Sequence, residues 1–342
     1  NGWDLLTPSL LSDEDAAGVT HIWISHEHPD HFSPACMKDL LSRCTAGPVV
    51  LFQPTSDRRV LDWCDKAGFD TQELSERRWT ELSAGFDVMV GKSGLYDSWQ
   101  AIRADGSTVV NLNDCMLFGQ KEVEALADRV GSVDCLVTQF SYANWIGNPT
   151  DIELRSSEAT ARVQRIASQI EGLSTPTVIP AASFVWFSHE ENVYLNDLRV
   201  PLEVVVDVIE KAGSTAVVLA PGDAWTVGAA WNNDESSDVY ERAWGVDGRE
   251  LHHSAEVPFG ELTALAESYV ERVTDCNNRL LLRIAAASRT LRVVRIHLWD
   301  LDNTVEFHPL RGLTVIGTGD RDSQVSMGSE SLAFALRFDW GI

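Results

Sequence analysis

The sequence predicts a layered α/β fold followed by a smaller α+β extension. Three observations predict it. Strand-like and helix-like stretches alternate over residues 19–223, the pattern of a layered α/β domain. Imidazoles and carboxylates crowd the turn after the first apolar strand, where open α/β sheets place their sites. After residue 224 the chain becomes polar and irregular, then turns to a helix and an alternating strand. These changes place a catalytic domain at 1–228 and an extension at 229–342.

Residues 1–18 read as a connecting segment, polar with apolar islands. Val19-Thr20-His21-Ile22-Trp23-Ile24 is β-branched and aromatic, hence a buried strand. Ser33 and Pro34 supply the N-cap and first position of a helix over 34–43. A second buried strand is expected at Val49–Phe52 and a helix over 57–67. Phe86–Val90, Trp99–Ala104 and Ser107–Leu112 read as strands, the last two joined by a hairpin turn at Asp105-Gly106. Lys121–Val130 and Ser157–Leu173 are amphipathic helices, the second with Ala159, Val163, Ile166 and Ile170 at helical spacing. Strands follow at Cys135–Phe140, Thr177–Pro180 and Thr215–Ala220, with a helix over 201–212. Residues 229–256 read as irregular, 258–275 as a helix, and Val293–Trp299 as a strand of an antiparallel sheet. There is no internal repeat.

The chain has 342 residues, 44% of them hydrophobic, enough for a sizeable core. It carries 27 basic and 51 acidic residues, a net charge of −24. That balance argues against nucleic acid as a partner, because cationic contacts to phosphate supply most of such affinity. A solvated acidic surface accounts for it. The six cysteines contain no Cys-x-x-Cys pair, and Cys36, Cys64 and Cys135 sit in apolar contexts. With no signal peptide and no apolar run of membrane-spanning length, a cytoplasmic protein is expected, without membrane partners. Both ends read like the interior of a longer protein.

The segment His26-Glu27-His28-Pro29-Asp30-His31 puts three imidazoles and two carboxylates within six consecutive positions. His26 and His28 project to the same side of extended chain, and Asp30 and His31 follow once the chain turns. Two neutral imidazoles hold one divalent ion, and a carboxylate with an imidazole holds a second ~3.5–4 Å away. The competing reading is a polar turn with surface histidines. The pattern His-x-His-x-Asp-His after a hydrophobic strand resembles the signature of the metallo-β-lactamase superfamily. That resemblance implies an αββα sandwich and a dinuclear metal centre.

It also implies ligands further along. A bridging carboxylate is expected after a later strand, and Asp114 ends the run Val109–Asn113, although aspartate is also common in turns. Most zinc members have a histidine in between, but no histidine occurs from position 32 to 188 here. Asp97 is the substitute, or else it caps a turn. A carboxylate there makes the site richer in oxygen and shifts preference from zinc towards iron or manganese. The last ligand should be His189, with Glu190 in support. His21, His252, His253, His297 and His308 are expected to be structural or solvated.

Several segments narrow the resemblance: Ser25–Phe32, Asp97-Ser98, Asn111-Leu112-Asn113-Asp114-Cys115, Ser183–His189 and Pro221-Gly222-Asp223. Together they resemble the metallo-β-lactamase domain of CMP-N-acetylneuraminate hydroxylase-like proteins over roughly residues 15–225. Full members of that family carry a Rieske domain, whose Cys-x-His and Cys-x-x-His pair this sequence lacks. Either the electron-donating domain lies elsewhere, or a separate protein supplies electrons, or the chemistry needs none.

The resemblance therefore implies a diiron oxygenase acting on a small molecule. His26, His28 and Asp97 would hold one ion, Asp30, His31 and His189 the other, and Asp114 would be shared. O2 and electrons from a ferredoxin or reductase complete that reading. The alternative is a hydrolase of lactonase or phosphodiesterase type, using a metal-bridged hydroxide oriented by Asp30. A non-catalytic binding module is the third reading. The aromatic loop Phe140–Pro149 either lines the pocket or packs beneath the C-terminal domain.

Overall fold

The computed structural model describes residues 2–94, 97–115, 117, 119–142, 144–182, 184–246, 248–288 and 290–337. Ala143 and Ser183, within the segments Phe140–Pro149 and Ser183–His189, lie outside the described residues, as do both chain ends. The chain divides into two compact units. One comprises Asn1–Phe187 with Tyr194–Arg249, the other Ser188–Val193 with Glu250–Ile342.

The first unit is built in layers. Its large sheet runs in the order Thr215–Ala216, Thr177–Ala181, Cys135–Gln139, Ser107–Asn111, Asp97–Ala104, Phe86–Ser93, Thr80–Ser83. The first four strands are mutually parallel and the rest antiparallel. Asp105 and Gly106 both take left-handed φ, 50° and 78°, which gives the expected tight hairpin.

Side chains alternate across this sheet. Met89 and Ala101 face a core shared with Val123, Leu126, Val163, Ile166, Val205 and Ile209. Those residues belong to the helices Gln120–Val130, Ile152–Leu173 and Leu202–Lys211. Val88, Val90 and Ile102 face the other way, against Leu51, Leu74 and Trp23. That second core belongs to a three-stranded parallel sheet, His21–Trp23, Val49–Phe52 and Asp70–Glu73. The helix Arg59–Ala67 packs against it. Helices, sheet, sheet and helix thus form an αββα sandwich, the architecture the sequence resemblance implies. Gly91 is needed on the helix-facing side of the large sheet, because a Cβ there would lie 2.1 Å from the ring of Trp99 opposite it.

The expected helix at 34–43 is present as Pro34–Arg43, with Ser33 accepting a hydrogen bond from the Cys36 amide. Other expectations need correcting. The segment 1–18 contains a strand, Trp3–Leu5, paired with Val185–Phe187, and a helix, Asp13–Ala17, held by a Ser12–Asp15 capping box. Residues 229–256 contain the helix Asp234–Trp244, whose Ser236, Tyr240 and Ala243 are buried. Tyr240 packs edge-on against Phe184, ring centroids 5.1 Å apart, within the compact unit that includes Tyr194–Arg249. The strand expected at Thr215–Ala220 stops at Ala216. Beyond it, the Val218 amide donates to Asn233 and the Val218 carbonyl accepts from Trp231, which ends the ladder.

The second unit holds a four-stranded sheet in the order Gly312–Thr318, Asn303–His308, Val294–Leu298, Val325–Met327. Its last strand pairs parallel, so the sheet is mixed rather than wholly antiparallel. The helices Phe259–Cys276 and Ser329–Arg337 share its core through Leu262, Ala266, Leu298, Val305 and Leu332. A further helix spans Arg279–Ala287. All six cysteines are free, and no helix among the described residues is long and apolar enough to cross a membrane.

Candidate metal centre

The histidine turn follows the strand His21–Trp23, whose ladder is extended by the Ile24 amide donating to Leu51. The Ser25 carbonyl then fixes the turn, accepting from Ser98 Oγ at 2.6 Å and from Gln53 Nε2 at 3.2 Å. Glu27 pairs with Arg59 of the neighbouring helix. Two side chains from different sheets and one from a helix thereby anchor six residues of irregular backbone.

Asp97 and Asp114 approach from the large sheet. Asp97 opens its strand, and Asp114 follows the end of the adjacent strand Ser107–Asn111. Asn113 turns the chain in the left-handed conformation, φ 51°, with its amide donating to Asn111 Oδ1 at 2.9 Å. Asparagine tolerates that conformation and bonds its own backbone nearby. The turn presents both Asp114 and the Asn113 side chain, whose Nδ2 donates to Ser25 Oγ at 2.6 Å.

The ligand atoms fall into two groups, each within a 4.8 Å span: His26, His28 and Asp30, and His26, His31 and Asp114. His26 is common to both. His26 Nε2 lies 2.9 Å from His28 Nδ1, and His31 Nε2 lies 3.0 Å from Asp114 and 3.3 Å from Asp30. On the other side of its ring, His26 Nδ1 meets Ser25 Oγ at 3.0 Å and Asp97 Oδ1 at 3.5 Å. A proton on Nδ1, held by those oxygens, leaves Nε2 as the ligand atom.

Electrostatics match this division. Burial pushes the His26 pKa down to about 4, helped by the neighbouring charges of His31 and His28. Its ring is therefore neutral and available to a metal. Burial also opposes charge on His31, but the hydrogen bonds it donates to Asp114 and Asp30, and their charges, outweigh it and raise the pKa to about 9. Burial works against an ionised Asp30 too, yet the bond and charge of His31 hold its pKa below the usual value. Asp97 is shifted upward by burial and by the Asp114 charge. Buried neutral imidazole beside converging carboxylates is a donor set that fits divalent ions.

Of the residues the sequence singles out, His26, His28, Asp30, His31 and Asp114 converge, and Asp97 touches His26. Neither ligand group includes Asp97 or His189. His189 belongs to the second unit, where its Nδ1 accepts from the Glu191 amide at 3.2 Å and its Nε2 faces Ser254 Oγ at 3.4 Å. Ser25, Ser98 and Asn113 stand in the segments that carry the resemblance, but the sequence alone gives them no role. The usable signal was an asparagine before a strand-end aspartate, and a serine heading the histidine run.

No family model matches the chain. A curated protein of Mycolicibacterium smegmatis (strain ATCC 700084 / mc(2)155), provisionally named a Rieske 2Fe-2S iron-sulfur protein, is 27% identical over 205 residues. The match covers 54% of this chain and 38% of that protein, so the chain spans well under half the length of this relative. Among solved structures, CmlA, a diiron β-hydroxylase from Streptomyces venezuelae, aligns at TM-score 0.44 and 16% identity, covering 61% of this chain and 45% of CmlA. The metallo-β-lactamase fold protein YhfI from Bacillus subtilis aligns at TM-score 0.39 and 13% identity, covering 62% and 79%.

Proposed function

We propose that this chain is a metal-dependent enzyme, a dinuclear non-haem iron oxygenase that hydroxylates a small molecule with electrons delivered from outside the chain. The observation that carries the reading is the pair of three-ligand groups meeting at His26. Asp30 and Asp114 join three imidazoles in the ligand groups and Asp97 lies against His26; carboxylate oxygen at the site favours iron or manganese relative to an all-histidine zinc site. The iron–sulfur name of the curated relative supports an electron-transfer setting, with a ferredoxin or reductase as donor. A pair of divalent ions bound there supplies redox chemistry towards O2, or Lewis-acid activation of water.

The chain's own residues prepare the site. His26, Asp30, His31 and Asp114 supply ligand atoms, and His28 completes the first group. Ser25 and Asp97 hold the far side of His26. Asp30 and Asp114 hold a proton on His31 Nε2, which must leave before that nitrogen can bind a metal. Asn113 sets the direction of Asp114.

The hydrolase reading draws on one feature. Asp30, kept ionised by His31, is suited to orienting an attacking water. Metal analysis and Mössbauer spectra of anaerobically purified protein separate the two. Two iron ions per chain and O2-dependent turnover are expected; two zinc ions with O2-independent activity would overturn the oxygenase.

A further inference from the structure

The helix Ile152–Leu173 buries two arginines, Arg155 and Arg162, and among the described residues Arg155 alone of the two has a carboxylate at ion-pair distance. Arg155 is paired with Asp197, Nη1 to Oδ1 at 2.5 Å and Nη2 to Oδ2 at 3.0 Å, and also donates to the carbonyls of Tyr194 and Pro149. Arg162, two turns later, is only 7% exposed. Its Nη2 donates to Asn144 Oδ1 at 3.0 Å and its Nη1 to Gln139 Oε1 at 3.4 Å. Its Nε is buried without a partner. Among the described residues no carboxylate lies within ion-pair distance of it. Glu158, a turn earlier on the helix, acts only from further away, and Arg165 adds like charge.

Topology places this guanidinium beside the metal centre. Gln139 is the last residue of the strand Cys135–Gln139. That strand lies parallel to Ser107–Asn111, with Asn111 opposite Val137, and the Leu112 amide continues the ladder to the Val137 carbonyl. Gln139 and Asp114 therefore leave the same end of adjacent parallel strands, the end at which α/β sheets bind ligands. Consistently, the Asp114 carboxylate is among the charges that act on Arg162.

A guanidinium out of water with only amide oxygens for company is incompletely compensated. Its planar fork matches a carboxylate in shape and charge. We propose that Arg162 recognises a carboxylate on the small-molecule substrate through its guanidinium. Asn144 and Gln139 hold the guanidinium plane. This deepens the enzymatic reading above and rests on it for the word substrate; the anion subsite itself does not need the metals.

The test is made on the full chain stripped of metal by chelation, titrated with benzoate and with benzamide, its uncharged isostere, by calorimetry and thermal melting. Benzoate is expected to bind and raise the melting temperature, benzamide not. R162M should bind benzoate about tenfold more weakly or worse, and should melt no lower than the wild type, because it removes a buried unpaired charge. R162K should fall between, keeping the charge without the fork. A merely structural arginine gives the reverse: a lower melting temperature in R162M and the same benzoate affinity in both proteins. Should R162M fail to fold, R162K decides, with weakened benzoate binding supporting the proposal and unchanged binding overturning it. Wild-type protein that treats benzoate and benzamide alike also overturns it. Metal content is measured separately on untreated protein, so a failure of the metal reading is distinguishable from a failure of the anion subsite.

Discussion

Two regions of the molecule gather histidines and acids, and they do opposite things with them. In the second unit, His189, Glu190, Glu191, His253 and Ser254 satisfy one another. Glu191 accepts from Trp299 Nε1 at 3.0 Å, from the Gly328 amide at 2.5 Å and from Ser331 Oγ. Glu190 accepts from His253 at 2.7 Å and from the Ser254 amide at 2.8 Å. The His189 Nδ1 lone pair is taken by a backbone amide. Around His26, by contrast, ring nitrogens face each other and two carboxylates face one ring. Composition is similar in the two clusters. What separates them is whether the lone pairs already have donors.

The largest expected effect follows from His26 being shared by both ligand groups. His26→Ala should lower metal content from two ions to none, weakening affinity by more than the ~10–100-fold typical of losing a supporting partner. His189→Ala should retain its metal. Elemental analysis checks both. If His189→Ala emptied the protein as His26→Ala does, the contrast between the clusters would collapse and His189 would return as a ligand.

Asp97 sharpens the comparison, because it touches the ring nitrogen of His26 that faces away from the ligand groups. Asp97→Asn keeps the shape and removes the charge, and should cost ~10–100-fold in metal affinity. Asp97→His should keep two ions but shift the iron-to-zinc ratio towards zinc. Unchanged affinity and metal identity in both variants would reduce Asp97 to a turn residue.

How much of this was legible depended on distance along the chain. The turn from His26 to His31 could be read because its ligand types and the strand before it are contiguous. Asp114 could be read as a strand-end carboxylate. The bonds that fix the turn could not, since Ser98 reaches Ser25 across 73 positions and Asn113 across 88. Arg162 was illegible for another reason. Helical periodicity marked Ala159, Val163, Ile166 and Ile170 as core, and an arginine among them reads as solvated until packing buries it. The helix Asp234–Trp244 was hidden by polar composition, because only three of its residues are buried. The layered sheets were legible because their apolar runs are long and their turn residues specific.

The two shifted histidines predict how metal uptake depends on pH. His31 is protonated in the metal-free protein below about 9 and His26 only below about 4. Between 6.5 and about 9, filling the site expels a proton from His31, so affinity should rise about tenfold per pH unit and flatten above 9. The same shifts act on the metal-free fold with opposite signs. The raised His31 pKa contributes stability that is complete below 6.5 and lost as pH rises through about 9. The depressed His26 pKa withdraws stability as pH falls from 6.5 towards about 4. Calorimetry in buffers of different ionisation enthalpy counts the proton. Asp114→Asn, which removes the strongest support for charge on His31, should move the upper break towards 6.5. A pH-independent affinity between 6 and 8.5 would show that His31 does not carry the proton.

The smallest effect is expected in the satisfied cluster. His253 is largely exposed although its ring meets Glu190, and exposed pairs of this kind contribute about 0–1 kcal/mol. His253→Ala should therefore leave metal content unchanged and shift the melting temperature by little. Glu191→Gln should be costlier, because Glu191 receives donors from Trp299, Gly328 and Ser331 together. An amide keeps one acceptor oxygen but turns the other into a donor facing a donor, a loss of about 1–3 kcal/mol for a group left unsatisfied. The pair of variants thus grades the cluster from a dispensable rim to a structural knot, and neither should alter the metals. A loss of metal from Glu191→Gln with the fold intact would mean that this cluster, too, is built to serve a ligand.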